Sequence, residues 1–241
     1  MSIFSREKNN QMEKWNTRTM FGPNMNFAVK EAYKLLRANI MFSFSEEGRG
    51  HVIGVTSSMQ SEGKSSTACN VAYALAEAGA KVLLIDGDLR RPSLASKLSL
   101  ARTPGLTNIL VAKGDYHELL QHNALAPNMD VLTSGDVPPN PSELLSSNRM
   151  ETLIEDLVKD YNYLIVDLPP INVVSDAIAM SRMLDGVVMV VRRGVSEQRM
   201  LAEALRQLKL VNVRILGFVY RDNEVARTKY RKRYGFKYKK F

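Results

Sequence analysis

Ser57-Ser58-Met59-Gln60-Ser61-Glu62-Gly63-Lys64-Ser65-Ser66 lies between an apolar run, His51–Thr56, and an Ala-rich helical pattern, Lys64–Ala78. A strand, a loop closed by Gly-Lys-Ser and a helix, in that order, form the context of a phosphate-binding loop. In that geometry the backbone N–H groups of the loop and of the helix N-terminus point at anionic oxygens. Ser58, Met59, Gln60, Ser61, Glu62, Gly63, Lys64, Ser65 and Ser66 are the candidate cradle. Lys64 would reach the terminal phosphates as a point charge, and the Ser65 hydroxyl would ligate Mg²⁺. Ser58 stands where such loops usually begin with glycine. The competing interpretation is a Ser/Gly-rich turn that only caps a helix.

Outward from the loop, apolar runs and helical patterns alternate. Lys81–Ile85, Met129–Leu132, Tyr163–Val166, Val187–Val191 and Ile215–Val219 are expected strands, and Ser142–Lys159, Val174–Met183 and Ser196–Leu208 are expected helices. Leu164-Ile165-Val166 and Val187-Val188-Met189-Val190-Val191 are continuous apolar runs, as strands buried on both faces require. The fold class that follows is α/β, a doubly wound and mostly parallel sheet flanked by helices. Upstream, Val29, Tyr33, Leu36 and Ile40 recur at steps of three and four from Phe27 to Phe44, with Glu31, Lys34 and Arg37 on the side away from that stripe.

Two further motifs fall at ends of expected strands. Asp86 and Asp88, in Ile85-Asp86-Gly87-Asp88-Leu89-Arg90-Arg91-Pro92, are carboxylates two apart and so point to one side. Neighbouring carboxylates repel unless a cation joins them, which makes Mg²⁺ a natural partner; either could instead accept a proton from an incoming hydroxyl. Asp167, in Val166-Asp167-Leu168-Pro169-Pro170, is the third carboxylate at the same sheet edge, where ligands of such sheets bind. The structural alternative is a pair of solvated turns, with Arg90 and Arg91 as ion-pair partners. Cys69 on the loop helix is expected in the core, and His51, His117 and His122, which show no ligand spacing, at the surface.

The chain has 241 residues, and 33 Lys+Arg against 25 Asp+Glu give a net charge of +8. Residues 221–241 hold nine Lys/Arg and two Asp/Glu, or +7, so the first 220 are nearly neutral. This divides the chain into a polar arm (1–25), a nucleotide-binding body (26–220) and a basic tail (221–241) carrying Tyr230, Tyr234 and Tyr238. Nucleic acid is not expected as a partner, because such proteins carry their charge on a folded face. The single cysteine excludes an internal disulfide and points to a reducing interior. No stretch approaches the length and apolarity of a membrane span.

At this point the motifs resemble a known family. The Ser-Glu-Gly-Lys-Ser loop, the Asp86–Pro92 segment, Val166–Pro170, Glu31-Ala32-Tyr33-Lys34-Leu35-Leu36-Arg37 and the stretch Ser134–Leu145 are similar to those of the bacterial tyrosine kinases of the capsule and exopolysaccharide type. These belong to the P-loop ATPase superfamily, and here the Gram-positive arrangement is matched, with the kinase as a separate soluble chain. The resemblance runs from about residue 27 to the C-terminus. It implies ATP- and Mg²⁺-dependent phosphoryl transfer to tyrosine, with Lys64, Asp86 and Asp88 catalytic and Ser65, Asp86, Asp88 and Asp167 at the metal. It implies trans-autophosphorylation of Tyr230, Tyr234 and Tyr238 within a homo-oligomeric ring held partly by Glu31, Lys34 and Arg37. It further implies a transmembrane activator of polysaccharide export, a cognate tyrosine phosphatase, and a cytoplasmic place at the inner face of the membrane.

The chain departs from the family at three places. Lys34 replaces an arginine of the ring motif, and a lysine does not reproduce a bidentate arginine contact. The tail has three tyrosines among basic residues where relatives are often denser. Arg221 follows the last strand where relatives place an asparagine that helps read adenine, leaving base recognition to Asn223 or to a looser site. The rival from the same superfamily is a partitioning or positioning ATPase that transfers phosphate only to water. Those carry an additional lysine near the start of the loop, and the position is Met59 here. A nucleotide-sensing adaptor without chemistry is the third alternative.

Overall fold

The computed structural model describes residues 25–44, 48–112 and 115–222. Tyr230, Tyr234, Tyr238, the arm up to residue 24 and the rest of the tail lie outside the described residues. Six strands, β1 (His51–Ser57), β2 (Val82–Asp86), β3 (Met129–Leu132), β4 (Tyr163–Asp167), β5 (Gly186–Arg192) and β6 (Ile215–Arg221), pair in the order β3-β2-β4-β1-β5-β6. All five pairings are parallel.

The sequence explains why this sheet is central. Successive side chains of a strand face opposite ways, and here both directions are apolar. Leu164 and Val166 of β4 enter one core with Leu83 and Ile85 of β2, while Ile165 enters the other with Leu84. Helices Asn148–Asp160 and Gln198–Leu210 cover the first face; Phe27–Ser43 and Lys64–Glu77 cover the second. Fully burying each Leu or Ile contributes roughly 1.5–3 kcal/mol, so the strand runs dominate the fold.

Differences from the sequence expectation are local. The single helix expected over Ser142–Lys159 is two, Pro141–Leu145 and Asn148–Asp160. The break comes where the Ser147 side chain accepts a hydrogen bond from Met150 N and caps a new helix. Val174–Met183 is only a turn of α-helix, Asp176–Ala179, followed by a 3₁₀ turn at Ser181–Met183. Helices Leu94–Leu98 and Leu106–Val111 are too short to show a period. Met25, counted with the arm, is buried in the core behind the Phe27–Ser43 helix. Arg221, counted with the tail, ends β6.

Cys69 is buried in the core as expected. His51 is a correction: it is half-buried and stacks on Phe44 at 4.2 Å between ring centroids. His122 does keep an exposed ring, but its Nδ1 lies 3.0 Å from Asp130, which also accepts the Tyr161 hydroxyl at 2.6 Å.

Candidate nucleotide site

The phosphate loop joins β1 to the Lys64–Glu77 helix at the C-terminal edge of the sheet. Its shape comes from two left-handed residues, Ser61 at φ 63° and Gly63 at φ 96°. Left-handed backbone outside glycine is uncommon and concentrates where function demands a fixed turn. Gly63 occupies the N-cap with no side-chain cap, so the first N–H groups of the helix have no side chain competing for them and can serve an anion.

Ser58 and Glu62 close the loop on itself. The Glu62 carboxylate is fully buried; Oε2 accepts the Ser58 N–H at 2.9 Å and Oε1 the Ser58 hydroxyl at 2.8 Å. This explains how a serine can replace the usual first glycine: its hydroxyl is held by the loop instead of being left unpaired. Glu62→Ala should therefore leave a buried donor pair unsatisfied and cost about 1–3 kcal/mol. Denaturant unfolding would register it as a lowered midpoint at constant slope, with Glu62→Gln in between because it keeps one acceptor.

The carboxylates meet because of register. Asp86 and Asp167 are direct partners across the β2–β4 ladder, so their side chains leave the same face, the one covered by the Lys64–Glu77 helix. The Lys64 ammonium lies 2.8 Å from Asp88 Oδ2 and 3.6 Å from Asp167 Oδ1. Asp88 Oδ1 accepts the Arg91 N–H at 3.0 Å, while Asp86 Oδ2 accepts the Leu94 N–H at 3.0 Å. The hydroxyl of Ser65 receives that of Ser93 at 3.0 Å. Every loop residue and carboxylate singled out from sequence is thus brought to one place.

Its electrostatics are unusual. Burial and then the Asp167 charge push the Asp86 carboxyl up to about 8. Asp167, fully buried, is also pushed up, burial outweighing the pull of Lys64. Burial would lower Lys64, yet the charges of Asp167 and Asp88 hold it above its ordinary value. Asp86 Oδ1 and both Asp167 oxygens are buried without a hydrogen bond, and Asp167 Oδ1 has the Lys64 ammonium at 3.6 Å as an ion-pair contact. Such orphaned atoms are expensive, and they fit a cation brought in with a ligand. Among the described residues no three His, Cys, Asp or Glu side chains form a ready metal cage.

Sequence reasoning named Arg91 and Arg221 but missed Arg192, and with it the basic rim of the loop. Arg91 Nη1 donates to Gln60 Oε1 at 2.9 Å, Arg192 Nη1 to Ser61 O at 2.8 Å and Arg221 Nη1 to Gly63 O at 3.0 Å. Arg192 ends β5 as Arg221 ends β6, so the rule that singled out Asp167 could also have singled out Arg192. Arg90, named from sequence as an ion-pair partner of the turn carboxylates, instead makes a two-pronged pair with the buried Asp176 at 2.9 and 3.1 Å. Glu31, Lys34 and Arg37, expected from the resemblance to help hold a ring, lie on the Phe27–Ser43 helix, away from the loop's mouth. Glu31 and Lys34 pair with each other at 2.9 Å, and Arg37 reaches across to Ala74 O at 3.0 Å on the loop helix. Arg37 therefore does not face away from the body, as its place in the helical pattern suggested; its long side chain flanks the apolar stripe and bridges to the next helix.

A phosphate loop at the edge of a doubly wound parallel sheet, with a lysine set among buried carboxylates, defines a P-loop nucleotide-binding domain. Residues 53–234 match the family described as the CobQ/CobB/MinD/ParA nucleotide binding domain. The chain is 38% identical over 197 residues to the tyrosine-protein kinase YwqD of Bacillus subtilis (strain 168), covering 82% of each chain. It is 34% identical over 191 residues to the putative tyrosine-protein kinase CapB of Staphylococcus aureus, covering 79% of this chain and 83% of that one. The crystal structure of the chimerical protein CapA2B2 superposes with a TM-score of 0.74 at 34% identity, over 79% of this chain and 83% of the other. The chain belongs to this nucleotide-binding family and, within it, to the bacterial tyrosine-protein kinases. As an enzyme it is a protein-tyrosine kinase.

Proposed function

We propose that this kinase uses ATP with Mg²⁺ to phosphorylate Tyr230, Tyr234 and Tyr238 of a neighbouring copy, under the control of a membrane partner, and thereby regulates capsule or exopolysaccharide synthesis. The observation that carries the chemistry is the position of Lys64, held between Asp88 and Asp167 at the mouth of the phosphate loop. Ser65, Asp86, Asp88 and Asp167 would hold the metal, directly or through water. When bound, Mg²⁺ neutralises charge on the phosphoryl oxygens.

The residues divide the work as follows. The loop from Ser58 to Ser66 orients the triphosphate through its N–H groups. Lys64 leaves its carboxylate partners for the terminal phosphate, exchanging one set of anionic oxygens for another. Asp88, relieved of Lys64, takes the proton of the tyrosine hydroxyl as its oxygen bonds to phosphorus and the bond to ADP breaks. Asp86 is worse placed as a base: each carboxylate accepts one backbone N–H, but Asp86 is fully buried, whereas Asp88 keeps slight exposure and frees an oxygen when Lys64 leaves it. Rate enhancement is then mostly positioning and fixed charge.

On the same reading, residues 26–220 are the catalytic body, 1–25 an arm, and 221–241 the acceptor segment. Self-association uses the outer side of the Phe27–Ser43 helix around Glu31 and Lys34, with Arg37 bracing that helix. No helix among the described residues is long and apolar enough to cross a membrane; attachment to the inner face of the membrane comes through the partner, and a tyrosine phosphatase resets the tail.

The test incubates the chain with γ-labelled ATP and Mg²⁺, with and without the cytoplasmic end of a candidate membrane partner. Label is expected as phosphotyrosine in the C-terminal peptide. The triple variant Tyr230→Phe/Tyr234→Phe/Tyr238→Phe should lose nearly all of it while still binding nucleotide. Label released only as free phosphate, with an unmodified tail, would instead support a switch ATPase.

A further inference from the structure

The sides of the phosphate loop are unequal. Lys64, Asp86, Asp88 and Asp167 all lie toward β2 and β4. A nucleoside triphosphate must set its terminal phosphate and metal there, since that side holds the cation and the unpartnered carboxylate oxygens. Its nucleoside then leaves on the other side, over the ends of β5 and β6. Those strands pair Arg192 with Arg221 at their last rung. Arg192 turns to Ser61 O, and Arg193 pairs with Asp222 at 2.9 Å. Arg221 fills the space beside Gly63: its Nη1 donates to Gly63 O at 3.0 Å, and a Cβ on Gly63 would fall 1.4 Å from that nitrogen. Its planar guanidinium is half-buried against the first turn of the loop helix.

We propose that Arg221 faces the purine of the bound nucleotide, and that the site consequently takes guanine as well as adenine nucleotides. Two physical arguments support it. A guanidinium stacks on any base, because every base presents a π-face. In the plane of the base, arginine carries donors only. It matches the O6 and N7 acceptors of guanine but conflicts with the N6 donor of adenine, whereas an amide side chain, with one donor and one acceptor, matches adenine. The inference deepens the nucleotide-site assignment proposed above and rests on it.

The test is equilibrium titration of the full chain with ADP and with GDP, each with Mg²⁺. Wild type is expected to bind the two with dissociation constants within about tenfold of each other, and Arg221→Asn to shift the ratio toward ADP by about tenfold or more. Arg221→Lys, which keeps charge but not the plane, should weaken both nucleotides. A purely structural role for Arg221 at Gly63 predicts equal weakening of both and an unchanged ratio, and that result overturns the inference. So does a wild type that prefers ADP by more than about tenfold, a measurement that needs no variant to fold. If neither nucleotide binds wild type, the nucleotide-site assignment falls first and the inference with it. If ADP binds and the ratio does not move, the inference falls alone.

Discussion

Lys64→Met is expected to reduce phosphoryl transfer to tyrosine by at least about 10²–10³-fold, the size of effect seen when one preorganised electrostatic contact to the reacting group is removed. Binding should suffer less, because the backbone N–H groups of the loop remain. The same substitution has a second consequence in the nucleotide-free protein. The lysine side chain is 12% exposed and its partners Asp88 and Asp167 are 7% and 0% exposed, so removing it leaves carboxylates in a dry site with no cation. Breaking such a pair by deleting one member costs about 3–5 kcal/mol, and each kcal/mol lowers Tm by roughly 2–4 °C at this chain length. Lys64 is raised above its ordinary 10.5. Its stabilising contribution is therefore complete below that pH and is lost only as pH rises through the still higher folded value, so it is fully present at neutrality. Label transfer and thermal melts at pH 7 measure the two effects separately. A Lys64→Met protein that kept more than a tenth of the wild-type transfer rate would remove the residue from the mechanism.

The sheet was legible because its strands are apolar on both faces. Leu164-Ile165-Val166 and Val187–Val191 cannot be satisfied on a one-sided sheet, and helices between them force parallel crossovers. The carboxylates were legible for a related reason. Asp86 and Asp167 end apolar runs, and in a parallel sheet all such ends share an edge. What they do to each other was not legible: the direct pairing of Asp86 with Asp167 depends on β4 lying between β1 and β2, an order that no local pattern encodes. The Ser58–Glu62 closure depends on a left-handed Ser61, which sequence gives no reason to expect. The approach of Arg221 to Gly63 spans 158 residues and needs β6 to lie outside β5. Local chemistry was therefore readable, and chemistry created by strand order was not.

Strand order also decides the pH behaviour of the site, and Asp86→Asn is the sharpest probe of it. Asp86 has an ordinary value of 3.8 and is pushed up to about 8, first by burial and then by the charge of Asp167. A carboxyl that holds its proton more tightly when folded adds stability below its unfolded pKa and loses it as pH rises through the folded value. The nucleotide-free protein should thus lose stability progressively between about pH 4 and pH 8 on account of this group. Asp86→Asn, which cannot ionise, should flatten that decline and melt higher than wild type at pH 8. Function should move the opposite way. On the metal assignment proposed above, Mg²⁺ would need the carboxylate and displace its proton: its affinity, with nucleotide present, should rise with pH up to about 8 in wild type and release protons on binding. In Asp86→Asn that dependence should weaken and phosphoryl transfer should fall by about a hundredfold, the size of effect expected if Asp86 positions the metal as proposed. Calorimetry in two buffers of different ionisation enthalpy counts the released protons, and melts from pH 5 to 9 give the stability curve. A variant that was less stable than wild type at pH 8, with unchanged proton release on Mg²⁺ binding, would show that Asp86 is ionised and satisfied in the free protein. Such a residue would be structural, trading catalytic charge for nothing, whereas a more stable and inactive variant identifies a charge that the fold tolerates because the reaction needs it.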